Sequence, residues 1–239
     1  MNPRAVLLDI DGTTTPITFV TETLFPYARQ RGREFIRNHI ADQEIHEALR
    51  QLQIDNRADR SDGAPAIEAN SEQAIDNTIA YYMWLIDNDR KSTALKTIEG
   101  RIWHEGYDRG ELQTTIFPDV VPALERWHRG GRIAAIYSSG SVVAQQELFR
   151  HTIHGDLTPF VTAYFDTRVG SKKQASSYSK IAESLETPAN GILFVSDVVA
   201  ELDAALLAGM MTALAVRPGN PLNQERKGHL LIRSFEELP

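Results

Sequence analysis

Residues 4–15 read RAVLLDIDGTTT and give the first indication of the fold. Its first half is a short apolar run that stops at Asp9, and its second half is a polar loop that contains Gly12. A continuous apolar run of this length is typical of a strand that is buried on both faces, as in a parallel sheet. Ligands of such sheets bind beyond the carboxyl ends of the strands, so Asp9 and Asp11 become the first candidate site residues.

The second half of the chain repeats this pattern. Further apolar runs are predicted as strands at 132–137, 160–165, 192–195 and 212–216, with helical patterns at 142–149, 176–185 and 200–208. Strands that alternate with helices of this length predict an α/β fold with a doubly wound, mostly parallel sheet. Ser138 and Ser139, Asp166, and Ser196 with Asp197 follow these strands. We therefore expect hydroxyls and carboxylates to meet at one edge of the sheet.

A helical stretch separates the first strand from the others. Helix spacing i, i+3, i+4, i+7 recurs there at Ile45, Ala48, Leu49 and Leu52. A second repeat, at 75–86, follows a predicted N-cap at Ser71. We predict a catalytic core made of residues 1–20 and 116–239, with a helical cap inserted at 21–115.

Composition excludes several classes of site. The chain has 239 residues, 25 Lys plus Arg against 32 Asp plus Glu, a net charge of -7 and no cysteine. Disulfides, thiolate zinc sites and cysteine nucleophiles are therefore excluded. There is no basic run, so no nucleic-acid partner is expected. No apolar run approaches the ~18 residues of a membrane span, and the first residues lack a signal-peptide pattern, so a cytoplasmic location without membrane contact is expected.

The predicted strand ends carry the groups that phosphoryl transfer needs. Crowded carboxylates repel one another unless a hard cation lies among them, and oxygen ligands suit Mg²⁺. Asp9 is then the candidate nucleophile, and Asp11 can move protons to the leaving oxygen and from water. Ser138 offers a hydroxyl donor, and Lys172 or Lys173 a fixed cation.

Each of these residues also has a structural interpretation. A single Asp after an apolar strand is more often a cap than a nucleophile, and only the combination of Asp9, Asp11 and Gly12 reverses that preference. Asp166 either orients Lys172 or caps a loop. Glu201, one turn after Asp197, is expected behind the site or at the surface.

At these residues the chain resembles the haloacid dehalogenase superfamily of phosphohydrolases. Residues 9–13 look like its first motif, Ser138 its second, Lys172 its third and Asp197 its fourth, in the required order. The spacing from Asp166 selects Lys172 rather than Lys173. The helical insertion resembles the cap that closes over the substrate in this superfamily.

A closer resemblance extends along nearly the whole chain. Residues 9–17, 24–27, 93–96, 117–120, 137–141, 165–172 and 216–220 are similar to the enolase-phosphatases of methionine salvage. The resemblance implies a small-molecule substrate, 2,3-diketo-5-methylthiopentyl 1-phosphate, which is enolised and then dephosphorylated to an acireductone with Mg²⁺. It implies that Asp9 and Asp197 bind Mg²⁺ by side chain and Asp11 by its backbone carbonyl. Ser138, Ser139 and Lys172 would hold the substrate, and a monomer is expected.

One position departs from this family pattern. Members commonly have Glu two residues after the nucleophile, whereas this chain has Asp11, as in ordinary phosphatases of the superfamily. The Asp side chain is one methylene shorter, so its carboxylate lies further from any proton that it must move. Two alternatives therefore stay open: a capped phosphatase for another small phosphorylated metabolite, and a phosphate-accepting regulatory domain without turnover. The length of the insertion argues against the regulatory domain.

Overall fold

The computed structural model describes residues 2–68, 73–90, 92–220 and 228–239. The chain divides into two compact units: one consists of Met1–Val20 with Gln113–Pro239, and the other of Thr21–Leu112. We call them the sheet unit and the helical unit. The catalytic role of the first and the capping role of the second stay predictions. The N-cap predicted at Ser71 lies outside the described residues.

The sheet unit is built on one parallel sheet. Its strands in the described residues are β1 (Ala5–Leu8), β2 (Ile133–Tyr137), β3 (Ala163–Phe165), β4 (Ile192–Ser196), β5 (Met211–Ala215) and β6 (Leu230–Ile232). They pair in parallel in the order β3-β2-β1-β4-β5-β6. The predicted doubly wound α/β fold is thus confirmed.

The sixth strand is a correction to the sequence analysis, which predicted five strands. Residues Leu230–Ile232 add β6 beside β5, with Leu214 opposite Leu231. Three residues are too few to show the alternation or the apolar run that marks a strand. β6 is defined by its pairing with the edge of β5. That edge is formed by residues distant in the sequence, so a local pattern does not reveal it.

The helices account for most of the remaining described residues. They are α1 (Ile17–Phe19), α2 (Phe25–Asn38), α3 (Gln43–Asp59), α4 (Ala74–Asp87), α5 (Thr93–Asp108), α6 (Val120–Arg129), α7 (Val142–Arg150), α8 (Ala175–Ser184) and α9 (Val199–Leu207). In the sheet unit, both faces of β1 are covered, and all four of its residues are buried. This explains why β1 is a continuous apolar run rather than an alternating one.

The helical unit has an apolar core of its own. Ile45, Ala48, Leu49 and Leu52 of α3 are all buried, as their spacing predicted. The aromatic rings of Tyr81 and Tyr82 in α4 are fully buried in the same cluster. None of the helices in the described ranges is both long and apolar enough to cross a membrane.

The order of the strands reverses at β1. Strands β2 and β3 lie on one side of β1, whereas β4, β5 and β6 lie on the other. Parallel sheets of this topology bind ligands in the crevice at such a switch point, beyond the carboxyl ends of the strands. The fold therefore places the residues after β1, β2 and β4 where a site is expected.

A carboxyl group is buried in the helical unit. Glu99 of α5 is 4% exposed. Burial raises its pKa from 4.5 to about 8; Lys96 opposes this shift and Asp89 adds to it. The folded chain therefore keeps Glu99 protonated in a pH range where the unfolded chain ionises it, and stability falls as pH rises from about 4.5 to about 8.

We predict that Glu99→Gln removes this pH dependence. The variant and the wild type should have similar free energies of unfolding near pH 4.5, and the variant should be the more stable at pH 8, by on the order of 4 kcal/mol. Chemical denaturation across this pH range measures the difference. The exposed Glu47 of α3 provides a matched control: Glu47→Gln should follow the wild type. Parallel pH profiles for Glu99→Gln and the wild type would contradict the buried-acid interpretation.

Candidate active site

The sheet unit gathers polar side chains at the carboxyl edge of its central strands. Asp9 directly follows β1, Ser138 directly follows β2, and Ser196 is the last residue of β4. Because β1 pairs in parallel with both β2 and β4, these three strand ends lie side by side. All three residues are buried. The edge is therefore a polar site enclosed by protein rather than a solvated surface.

A buried lysine connects two carboxylates at this edge. The ammonium nitrogen Nζ of Lys172 lies 2.6 Å from Oδ1 of Asp9 and 2.7 Å from Oε2 of Glu201. Burial lowers the pKa of Lys172, but the charges of Asp9 and Glu201 outweigh burial and hold that pKa above its ordinary value. The neighbouring Lys173 is exposed. Lys172 is therefore the lysine that supplies a fixed positive charge beside Asp9.

The two carboxylate oxygens of Asp9 are in different environments. Oδ1 accepts a hydrogen bond from the backbone N–H of Ile10 at 2.8 Å, in addition to the contact with Lys172. The hydroxyl of Ser196 lies 3.3 Å from Oδ2 of Asp9 and 3.0 Å from Oε2 of Glu201, so its one proton serves either carboxylate. Oδ2 has the weaker partner and is the oxygen better able to attack an electrophile.

Three further carboxyl groups near Asp9 have raised pKa values. Burial is the main cause for each, the charge of Asp9 adds to it, and Lys172 opposes it. The pKa is raised to about 6 for Asp11, to about 7 for Asp197 and to about 6 for Glu201. All three shifts mean that additional negative charge is unfavourable at this edge. Carboxylates thus outnumber the single ammonium of Lys172 in this cluster.

The loop of residues 9–15, here called the Asp9 loop, is tightly folded. The N–H groups of residues 13–15 all donate to the carbonyl of Ile10, at 3.1, 2.9 and 3.0 Å. Gly12 has a φ of 71°, and a Cβ at this position would lie 2.4 Å from Oδ2 of Asp197. Glycine therefore permits both the left-handed turn and the close approach of the loop to Asp197.

Ser138 and Ser139, which are predicted to hold the substrate, follow β2. Ser138 is buried, and its Oγ accepts a hydrogen bond from the N–H of Gly140 at 3.3 Å. Ser139 is exposed. Strand pairing sets Ile136 opposite Leu8, so both serines lie near the end of β1. Their role in substrate binding stays a prediction.

Comparisons with known proteins agree with this arrangement. Residues 3–209 match the family model described as haloacid dehalogenase-like hydrolase. Enolase-phosphatase E1 of Synechococcus elongatus is 46% identical over 233 residues, which cover 98% of this chain and 96% of that protein. Enolase-phosphatase E1 of Sorangium cellulosum is 43% identical over 238 residues, covering 98% and 97%. The chain belongs to the enolase-phosphatase E1 family. It is thus a phosphatase among the haloacid dehalogenase-like hydrolases.

A solved structure extends the comparison to the fold. The crystal structure of the UTR4 protein from Saccharomyces cerevisiae has a TM-score of 0.78 and 32% sequence identity to this chain. The similarity covers 99% of this chain and 100% of the yeast chain. Membership of a hydrolase family favours the phosphatase over the regulatory domain that the sequence analysis left open.

In this enolase-phosphatase family member, Asp166 caps a loop, which is one of the two roles that the sequence analysis left open for it. Asp166 binds Arg168, with Nη2 of the guanidinium 2.8 Å from Oδ2, and accepts the N–H of Val142 at the start of α7. Burial raises the pKa of Asp166, but the hydrogen bonds from Arg168 outweigh burial and lower it. The carboxylate that contacts Lys172 is Glu201, which is buried behind the site, one of the two places expected for it. No local pattern in the sequence marks this contact, because Asp197 precedes α9 and Glu201 lies within it.

We predict that Lys172→Met destabilises the enolase-phosphatase far more than Lys173→Met. Loss of the ammonium leaves Asp9 and Glu201 buried without their cation, which costs about 3–5 kcal/mol of unfolding free energy. The exposed Lys173 should contribute less than about 0.5 kcal/mol. Urea denaturation of both variants in EDTA at neutral pH measures the difference. Equal losses in the two variants would contradict the assignment of Lys172 as the buried cation.

Proposed function

We propose that this protein is an enolase-phosphatase of methionine salvage. It would convert 2,3-diketo-5-methylthiopentyl 1-phosphate into the acireductone 1,2-dihydroxy-3-keto-5-methylthiopentene, by enolisation and then hydrolysis of the phosphate ester. The observation that carries the substrate assignment is similarity over 98% of the chain to Enolase-phosphatase E1. Core motifs alone do not encode a substrate, whereas this similarity also spans the helical unit.

The residues at the carboxyl edge fit a divalent cation. They offer carboxylate and carbonyl oxygens, the ligands that Mg²⁺ prefers. Their total negative charge is larger than the single positive charge of Lys172. Oδ1 of Asn220 is buried without a hydrogen-bond partner among the described residues, and Nδ2 of the same side chain lies 3.4 Å from Oδ2 of Asp197. An acceptor of this kind suits a water molecule that hydrates a cation. Asp9 and Asp197 would bind Mg²⁺ by side chain and Asp11 by its backbone carbonyl.

When bound, Mg²⁺ would neutralise charge on the phosphate and polarise the diketone. Side chains of the protein then carry out the attack on phosphorus and the proton transfers. Oδ2 of Asp9 attacks phosphorus, so that an Asp9–phosphorus bond forms while the bond from phosphorus to the ester oxygen breaks. Asp11 donates a proton to the leaving oxygen. It then takes a proton from the water that attacks phosphorus, which restores Asp9 and releases inorganic phosphate.

Lys172 has a positioning and an electrostatic role in this scheme. Its ammonium holds Oδ1 of Asp9 at 2.6 Å and so leaves Oδ2 to react. The same positive charge stabilises the negative charge that the phosphoryl group carries during transfer. Ser138 and Ser139 would bind the phosphate and the diketone oxygens. The proposal includes the expectation of a cytoplasmic monomer that acts without nucleic acid or membrane.

Enolisation distinguishes this proposal from a capped phosphatase for another metabolite, which Asp11 in place of Glu would also suit. It removes a proton from the carbon between the carbonyl and the phosphate ester. This step is independent of cleavage at phosphorus, so a substrate analogue that cannot be hydrolysed isolates it.

We predict that a phosphonate analogue of the diketone develops the ultraviolet absorbance of an enol in the presence of the protein and Mg²⁺. Incubation with EDTA should abolish the signal, because the diketone is then no longer polarised. Hydrolysis of p-nitrophenyl phosphate, measured in parallel, reports the phosphatase step alone. Hydrolysis of p-nitrophenyl phosphate without any enol absorbance would contradict the enolase assignment. It would instead support a capped phosphatase for another small phosphorylated metabolite.

A further inference from the structure

The carbonyl groups of the Asp9 loop are held by side chains that are distant in sequence. The carbonyl of Gly12 accepts a hydrogen bond from Nδ2 of Asn220 at 2.9 Å, and the carbonyl of Thr13 accepts one from Nε of Arg217 at 3.0 Å. Both donors come from residues 216–220, the segment after β5, which we call the β5 loop. The N–H groups of residues 12–15 donate within the loop, whereas the carbonyls of Gly12 and Thr13 are held by these two side chains from outside it.

Asn220 also contacts the end of β4. Its Nδ2 lies 3.4 Å from Oδ2 of Asp197, the same oxygen that a side chain at position 12 would obstruct. One amide therefore bridges the backbone of Gly12 and the carboxylate of Asp197.

The electrostatics of the site explain why a neutral donor is useful there. Asp197 adds a carboxylate to a cluster in which Asp9 and Glu201 already share the ammonium of Lys172. A lysine in place of Asn220 would offset the repulsion among these carboxylates, but it would also cancel charge that attracts a cation. An amide orients the carboxylate without changing the net charge of the site.

We propose that Asn220 is a positioning residue, whose side-chain amide ties Asp197 to the Asp9 loop and thereby sets the affinity of the site for Mg²⁺. The inference rests on the proposed function, because it assumes that Asp197 binds the metal. Groups that orient a metal ligand typically change metal affinity by about 10–100-fold when they are removed.

Arg217 makes the effect of Asn220 separable from folding. Its guanidinium is buried between the rings of Phe117 and Phe235, 4.8 and 4.4 Å from their centroids, and its Nη1 lies 2.7 Å from Oδ2 of Asp119. The Asp9 loop thus keeps the anchor at Thr13 when Asn220 is replaced. Asn220 itself is partly exposed, so its truncation leaves no large cavity.

The test compares Asn220→Ala with the wild type and with Asn190→Ala. Asn190 is exposed and precedes β4, at the opposite end of that strand, which makes it a matched control. Isothermal titration calorimetry with Mg²⁺ measures metal affinity, phosphate release from p-nitrophenyl phosphate at increasing Mg²⁺ measures turnover, and thermal unfolding in EDTA measures the stability of the metal-free protein.

For Asn220→Ala we expect a Kd for Mg²⁺ that is at least about 10-fold higher than that of the wild type. Turnover should recover at saturating Mg²⁺, and the Tm in EDTA should stay close to the wild-type value. Asn190→Ala should match the wild type throughout. A Kd within twofold of the wild type, or a fall in saturated turnover with unchanged Kd, overturns the role of Asn220. Absence of Mg²⁺ binding in the wild type overturns the proposed metal site and this inference together.

Discussion

The contact of one buried ammonium with two carboxylates is the constraint on which the site depends. Lys172 follows β3, Asp9 follows β1 and Glu201 lies in α9, so three separate parts of the sheet unit must come together for the charges to meet. None of the three groups could be buried alone, because an unpaired charge in the interior is costly. The pairing therefore determines the conformation of the loops around the carboxyl edge as much as apolar packing does.

The same cluster is left with more negative charge than Lys172 can compensate. The pKa values of Asp11 and Asp197 are raised in part because of this excess negative charge. A protein that only had to be stable would gain from fewer carboxylates here, whereas a site for a cation and a phosphate ester needs them. The glycine turn of the Asp9 loop and the amide of Asn220 both hold acidic groups close together. Neither adds positive charge that would compete with a metal.

Local sequence signals predicted the parts of the fold that depend on continuous patterns. The apolar run that ends at Asp9 and the helix spacing of Ile45 to Leu52 each report the burial of one element, and the structure has both. β6 could not be predicted because three residues carry no pattern, and its pairing depends on the edge of β5. In the site, the strand ends identified Asp9 and Asp197 as candidates, and the resemblance to the superfamily selected Lys172 over Lys173.

The contacts of Glu201, Arg217 and Asn220 were beyond sequence reasoning for a different reason. Each of these side chains takes its role from a partner far away in the chain: Lys172 for Glu201, Thr13 for Arg217 and Gly12 for Asn220. Sequence motifs identify the reactive residues at strand ends. They do not identify the side chains that hold those residues in place. Only the folded arrangement shows which side chain contacts which.

The most direct test is to find out where the phosphoryl group goes during turnover. The full-length protein with Mg²⁺ and p-nitrophenyl phosphate is quenched in acid within milliseconds, reduced with borohydride, digested and analysed by mass spectrometry. An Asp9 nucleophile predicts a transient acyl phosphate on Asp9, converted by reduction to homoserine at that position, with Asp11 and Asp197 unmodified. Continued turnover with Asp9 never modified, or modification of a different residue, would contradict it.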